Sequence, residues 1–427
     1  MIKETYPRDI LVNLNKWMDR REAYAIKGPR QSGKTTILRQ LQKSLPEKQV
    51  IYLNFEDPDV LDAFEGNPKE YVKSYITSQD SYFFLMDEFQ YVKNCGKTLK
   101  LLFDTFENVK FIVTGSSSLE LCGDMAKFLV GRIFFFELFP FNFHEFLLTK
   151  DPRLARIYQE KNRQIRGFLL EGTLPTIEPL DVFQSEFTPL LNEYLIFGGY
   201  PAVITSRDVE TKRVVLKNIY DTYVSKDVIE FLKVSDPSKY RCIVRALATL
   251  TGRILNYNET SNTCQSYYKE TKKTISMLQE TYIAQLIQPF YKNPLTELKK
   301  NPKVYFYDMG LRNHIINNFN PLEQRTDAGQ LVENYILLSL RNHFPDSTVN
   351  YWRTTNKAEV DFILHLNDEI VPLEAKYQQF QKPKISRSFR NFIEAYEPQK
   401  ALIATKGYWS IEKIGNTTVM FSPAHYI

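Results

Sequence analysis

Residues Gly28–Thr35 read GPRQSGKT and fill every fixed position of the phosphate-binding pattern G-x-x-x-x-G-K-[ST]. The preceding AYAIKG is short and apolar, as a buried strand leading into a loop should be. In the following TILRQLQKSL, Ile37, Leu38, Leu41 and Leu45 mark one face of a helix. Strand, glycine loop and helix start together cradle a triphosphate. Gly28 and Gly33 let successive N–H groups curl around it, and the helix adds its positive end. The candidate nucleotide seat is therefore Gly28, Pro29, Arg30, Gln31, Ser32, Gly33, Lys34, Thr35 and Thr36. Lys34 is placed to reach the β- and γ-phosphates of ATP or GTP, and the Thr35 hydroxyl to take one Mg²⁺ position.

Outward from the loop, four apolar runs read as strands: QVIYLNF (49–55), SYFFLMDEF (81–89), VKFIVTGSSS (109–118) and RIFFFEL (132–138). Helical patterns separate several of them, which predicts a mostly parallel sheet covered on both faces, an α/β fold. The N-terminal DILVNLNKWMDRREA is expected to be a helix at the sheet edge. The second run ends in Asp87-Glu88, so a buried strand delivers a metal-holding carboxylate and, one residue on, a base for the attacking water. The third ends in Thr114-Gly115-Ser116-Ser117, whose hydroxyls either sense the γ-phosphate or cap a helix. Arg132, just before the fourth, either reaches a γ-phosphate of its own or a neighbouring chain or satisfies a helix dipole.

The chain has 427 residues, enough for two to four domains, with 43% hydrophobic and 25% charged residues and a net charge of +5. That charge permits nucleic-acid contact without requiring it. Cys95, Cys122, Cys242 and Cys264 show no metal spacing, so reduced thiols and a cytoplasmic location are the expectation. No apolar run approaches a membrane span.

The combination GPRQSGKT, FLMDEFQ, VTGSSS, LVGR and ELFPFNFHEF resembles the AAA-type ATPases of bacteria and archaea that carry a C-terminal domain of unknown function. YLIFGGYPAVI, KVYFYDMGLRN, GQLVENYILLSL, and AEVDFIL followed by PLEAKY extend the resemblance over nearly the whole chain. It implies an additional-strand P-loop core over residues 1–150, with the Ser116 strand between those of Lys34 and Asp87. It also implies ATP hydrolysis at Glu88.

Residues 151–237 read as a polar, proline-punctuated connector followed by a helical lid carrying Lys226 and Asp227. Residues 238–302 suggest a winged helix, with a wing at QPFYKN and a third helix bearing Tyr267, Tyr268, Lys269, Lys272, Lys273 and Thr274. Such residues contact phosphates and base edges, although winged helices also serve only to pack domains. Residues 303–427 form an α/β unit opened by the strand KVYFYD. Its Asp361, Glu374 and Lys376 resemble the PD-(D/E)XK nuclease fold, since i and i+2 of a strand share a face and a hairpin sets Asp361 beside Glu374. The resemblance implies a second Mg²⁺ or Mn²⁺ on Asp361, Glu374 and Glu333, with Lys376 activating water. The chain then reads as an ATPase acting on DNA, or as a nucleotide-gated scaffold whose inert tail binds a protein partner, or as a ring completed by Arg132.

Overall fold

The computed structural model describes residues 6–46, 49–115, 127–177, 181–223, 236–291, 297 and 300–427; Ser116, Lys226 and Asp227 lie outside them. Five parallel strands, β1 (Ala23–Lys27), β2 (Val50–Asn54), β3 (Tyr82–Asp87), β4 (Val109–Gly115) and β5 (Ile133–Glu137), lie in the order β2-β3-β4-β1-β5. The strand after the Asp87 strand thus sits between β3 and β1. Period-two alternation splits the strands between two layers. Tyr24, Ile26, Leu85 and Ile112 pack against Ile37, Leu38 and Leu41 of the helix Lys34–Ser44. Phe84, Met86, Phe111 and Val113 pack against Leu99 and Leu102 of the helix Cys95–Thr105. The N-terminal helix is shorter than expected, Ile10–Lys16.

The expected polar connector is instead structural. Pro152–Glu171 is a helix capped by Asp151, and its Leu154, Tyr158, Ile165, Phe168 and Leu169 enter the largest core. These positions follow a helical period that the surrounding charges obscure. The same core contains Leu331, Leu373, Leu402 and Ile427, and Tyr158 Oη donates to the Ile427 carbonyl at 3.2 Å.

Three helices (Pro237–Thr249, Tyr257–Thr263, Tyr268–Glu280) precede an antiparallel ribbon of β6 (Ala284–Ile287) and β7 (Lys303–Phe306). The strand expected to open the C-terminal unit therefore closes the middle one. Cys242 and Cys264 form a disulfide, Cα to Cα 5.6 Å, against the expectation of reduced thiols. Two packed helices bring them together across 22 residues, a proximity no spacing rule encodes.

The C-terminal unit starts with the helix Ala328–His343. Then come β8 (Val349–Arg353), β9 (Glu359–Leu366), β10 (Glu369–Lys376), the helix Arg387–Tyr396, β11 (Lys400–Thr405), β12 (Ser410–Ile414) and β13 (Thr417–Pro423). Its mixed sheet runs β12-β13-β11-β10-β9-β8, with β8, β9 and β10 antiparallel and β11 parallel to β10. Among the described residues no helix is long and apolar enough to cross a membrane.

The units meet where backbones cross at van der Waals limits. A Cβ on Gly199 would stand 2.1 Å from the Phe141 carbonyl oxygen, and one on Gly310 would stand 1.9 Å from that of Phe197. Fully buried Asp308 caps the helix Met309–Ile315 through Leu311 N–H (2.7 Å) and also accepts Gly199 N–H (2.7 Å). Burial pushes its carboxyl up to about 6 despite these backbone donors. The folded chain therefore keeps a proton that an unfolded aspartic acid releases near 3.8. Stability from this group is full below that value and is lost as pH rises through 6, by about 3 kcal/mol. Buried His343, pushed down to about 4, slopes the opposite way. Comparison of the parent with Asp308→Asn isolates the effect. Their difference in urea unfolding free energy should shift by about 3 kcal/mol between roughly pH 4 and pH 7, and a pH-independent difference would show that Asp308 ionises normally in the fold.

Candidate functional site

β1 is buried on both faces and ends at Lys27, so the chain leaves the sheet's carboxyl edge straight into the loop. Gly28 passes beneath the segment after β5, where a Cβ would lie 2.1 Å from Leu138 O. Gln31 (φ 60°) and Gly33 (φ 101°) turn the backbone left-handed, and Gly33 precedes the first helical residue, Lys34. Lys34 is buried and donates to the carbonyls of Gly28 (3.0 Å) and Pro29 (2.8 Å), which lays its ammonium across the loop. Arg30 turns toward the Tyr91 hydroxyl. Thr35 and Thr36 are exposed at the helix start. Ser32 is fully buried, and its hydroxyl has no hydrogen-bond partner among the described residues. These donors and this turn fit a polyphosphate.

Arg8, which sequence reasoning missed, holds the loop from behind. Its guanidinium donates to Ser32 O (2.8 Å), Phe139 O (2.6 Å) and Glu145 Oε1 (2.9 Å), and lies 4.5 Å over the Phe141 ring. Burial pushes the Glu145 carboxyl up, while Arg8 pulls it back. A lone arginine ahead of the first helix carries no local signal of this role.

At the same carboxyl edge, Asp87 is buried at the end of β3. Its Oδ1 accepts the Thr114 hydroxyl at 2.5 Å and its Oδ2 the Tyr52 hydroxyl at 2.8 Å. Burial and Asp87 hold the Tyr52 phenol well above its usual range. Glu88 turns left-handed (φ 53°), donates its N–H to Thr114 Oγ1 at 3.1 Å and accepts the Gln90 side-chain amide. One hydroxyl thus joins the Asp87 carboxylate to the Glu88 backbone. Thr114, in the expected hydroxyl-bearing stretch, takes this part among the described residues. Asp87 and the Thr35 hydroxyl are the oxygen donors that fit Mg²⁺.

Arg132 does not reach its own loop. β5 runs parallel to β1 with Ala23 opposite Ile133 and Lys27 opposite Glu137. Arg132 therefore sits at the amino edge of the sheet, a strand's length from Gly28, where it pairs with Asp104 at 3.1 Å.

In the C-terminal unit, Asp361 and Glu374 are neighbours across β9 and β10, and Ala375 N–H donates to Asp361 Oδ2 at 2.8 Å. Glu374 accepts Lys376 Nζ at 2.9 Å and the Ser386 hydroxyl at 3.0 Å; burial, opposed by Lys376, pushes its carboxyl up. Glu333 completes the group from the helix Ala328–His343 and is pushed up to about 7 by burial. The structure corrects the expected metal set at one point. Lys303 of β7, 1% exposed, enters the cluster at 2.7 Å from Glu359, 3.0 Å from Glu333 and 4.0 Å from Asp361. Tyr305 donates to Glu333 at 2.5 Å. Among the described residues no group of three or more Asp, Glu, His or Cys is arranged to hold a metal, so this cluster does not fit one. The signal was present in KVYFYD, where Lys303 and Tyr305 share one face of an otherwise apolar run.

Residues 20–147 match a family model described as an AAA domain, and 188–322 and 328–425 match two models each described as a domain of unknown function. In loop, sheet order and family match, residues 20–147 are similar to an AAA domain. Over its length the chain is similar to an uncharacterized protein of Haemophilus influenzae, 26% identical over 93% of this chain and 92% of the other. An uncharacterized protein of Methanocaldococcus jannaschii is 25% identical over 86% of this chain and 78% of its own. Among solved structures, Cdc6p from Pyrobaculum aerophilum is 11% identical with a TM-score of 0.28, covering 74% of this chain and 96% of that one. A DNA clamp loader delta protein of Bacillus subtilis is 10% identical with a TM-score of 0.28, covering 78% and 99%.

Because Arg8 and Glu145 are both buried, removing Arg8 leaves the Glu145 carboxylate without its cation, held among the described residues only by the backbone N–H groups of Asp9 and Asn142. Arg8→Ala should lower the unfolding free energy by about 3–5 kcal/mol, and adding Glu145→Gln should return part of that loss. Additive losses in denaturant titrations would show that the pair is not coupled.

Proposed function

We propose that the chain is an ATP-hydrolysing enzyme whose nucleotide seat is Gly28–Thr36, with Glu88 as general base. The observation that carries this reading is the Thr114 hydroxyl, which donates to the Asp87 carboxylate and accepts the Glu88 backbone N–H at the edge where the loop leaves β1. Lys34 and the loop amides would bind the phosphates, and Thr35 with Asp87 would hold Mg²⁺, which neutralises phosphate charge when bound. Glu88 would take the proton of the attacking water once its carboxylate leaves Gln90. Arg132, at the far edge, would serve a neighbouring chain's nucleotide in an oligomer. Ser116 remains a candidate phosphate sensor, and the preference for ATP rests on the family resemblance.

We further propose that the middle unit is a winged helix offering nucleic acid a face of exposed Tyr267 (81%), Tyr268 (47%), Lys269, Lys272 and Lys273. Lys272 Nζ lies 5.6 Å over the Tyr268 ring, pairing cation and aromatic as nucleic-acid-binding surfaces do. Thr274 is buried and outside this face. In the C-terminal unit, a helix, three antiparallel strands, a helix and a parallel strand support a PD-(D/E)XK-like reading. The seated Lys303 favours the second reading, a nucleotide-gated ATPase whose tail binds a partner without cutting.

Glu88→Gln should bind ATP normally and lower kcat by about 10²–10⁴-fold, whereas Lys34→Ala should lose nucleotide binding. Thr114→Val should lower kcat with little change in KM, and unaltered turnover in both Glu88→Gln and Thr114→Val would move the base elsewhere. For the middle unit, Tyr267→Ala with Lys272→Ala should weaken DNA binding and flatten its salt dependence by about one unit of slope per lysine removed. Equal binding by parent and variant would leave the winged helix a packing module.

A further inference from the structure

We propose that Lys303 is the resident cation of the C-terminal acid cluster, and that the middle unit closes this cluster to divalent metals by inserting it. A lysine 1% exposed must have its charge met inside the protein, and Glu333, Glu359 and Asp361 meet it. Burial works against the Lys303 ammonium, but these three carboxylates outweigh it and hold the group charged. Lys376 pairs with Glu374 and Arg353 binds Glu359 at 2.9 Å, so further cations already stand beside two of the acids.

Lys303 cannot leave alone. Its strand is hydrogen-bonded into the middle unit, through β6 opposite Ile287 and through Val304 O to Gly252 N–H at 2.8 Å. Asn334, next to Glu333, clamps the same strand by accepting Phe306 N–H and donating to Phe306 O, both at 2.8 Å. Consecutive residues of one helix thus grip the lysine's charge and, at Phe306, the backbone of its strand. The cluster and the ribbon form a clasp, and a metal can enter only where β7 is withdrawn or Lys303 is replaced. This goes beyond the ATPase reading and does not depend on it.

The test is Mn²⁺ binding to the nucleotide-free full-length chain, followed by the loss of the free-ion electron paramagnetic resonance signal. Asp361→Asn in each background marks the C-terminal site. The parent should show no Asp361-dependent uptake. Lys303→Met should gain one Asp361-dependent Mn²⁺, bound at least about tenfold more tightly than anything in the parent. Lys303→Gln, which keeps a polar contact to the carboxylates, provides a second variant where the methionine does not fold. Asp361-dependent binding in the parent overturns the proposal, as does a folded Lys303 variant that gains none. If neither variant folds, the parent against Asp361→Asn decides alone: no difference supports the clasp and a difference removes it.

Discussion

The structure depends on how one buried guanidinium is used. Arg8 joins the phosphate loop, through Ser32 O, to the segment after β5, through Phe139 O, and anchors both to Glu145. Residues 138–141 then act as a seam. Leu138 lies over Gly28, Phe139 stacks on Tyr307 at 5.2 Å, and Phe141 N–H donates to Gly199 O at 2.7 Å. Lys27, the last residue before the loop, pairs with Glu137 at 3.1 Å, and Tyr282 of the middle unit donates to the same carboxylate at 3.1 Å. The middle unit is not merely tethered to the phosphate-loop core. Tyr282 and Tyr307 bear on the residues flanking its phosphate loop.

The two acidic clusters differ in what holds them, and this separates their chemistry. Asp87 and Glu88 are held by neutral donors: the hydroxyls of Thr114 and Tyr52, and an amide of Gln90. Such contacts orient a carboxylate without cancelling its charge, leaving it able to take a cation or a proton. The C-terminal acids are held by Lys303, Lys376 and Arg353, whose charges offset most of theirs. The first arrangement is set for chemistry with a cationic partner, while the second has its cations built in.

Much of the first site was legible because its chemistry is local. A phosphate loop needs glycine, lysine and a hydroxyl at consecutive positions, and a buried strand must end where its acid is needed, so GPRQSGKT and FLMDE carry their geometry in order. The residues that were not legible act across long separations. Arg8 meets Glu145 137 positions away, Tyr52 meets Asp87 at 35, and Lys303 meets Glu333 at 30. Which nucleotide Arg132 could serve was not legible for a related reason. Its place next to a core strand was readable, but which end of the parallel sheet it occupies depends on the register of β5 against β1.

By itself the sequence determined the parallel α/β core, the loop with its helix, the carboxylates at the end of β3, and the pairing of Asp361 with Glu374 in the C-terminal sheet. Those follow from apolar periodicity and fixed spacing, which act within one element or between neighbours. Only the tertiary structure decided that Thr114 joins the Asp87 carboxylate to the Glu88 backbone, that Cys242 and Cys264 join, that β7 belongs to the middle unit, and that Lys303 lies among the C-terminal carboxylates. The physical reason is that a buried charge or hydroxyl must find its partner wherever the fold supplies one, and no local pattern records where that is.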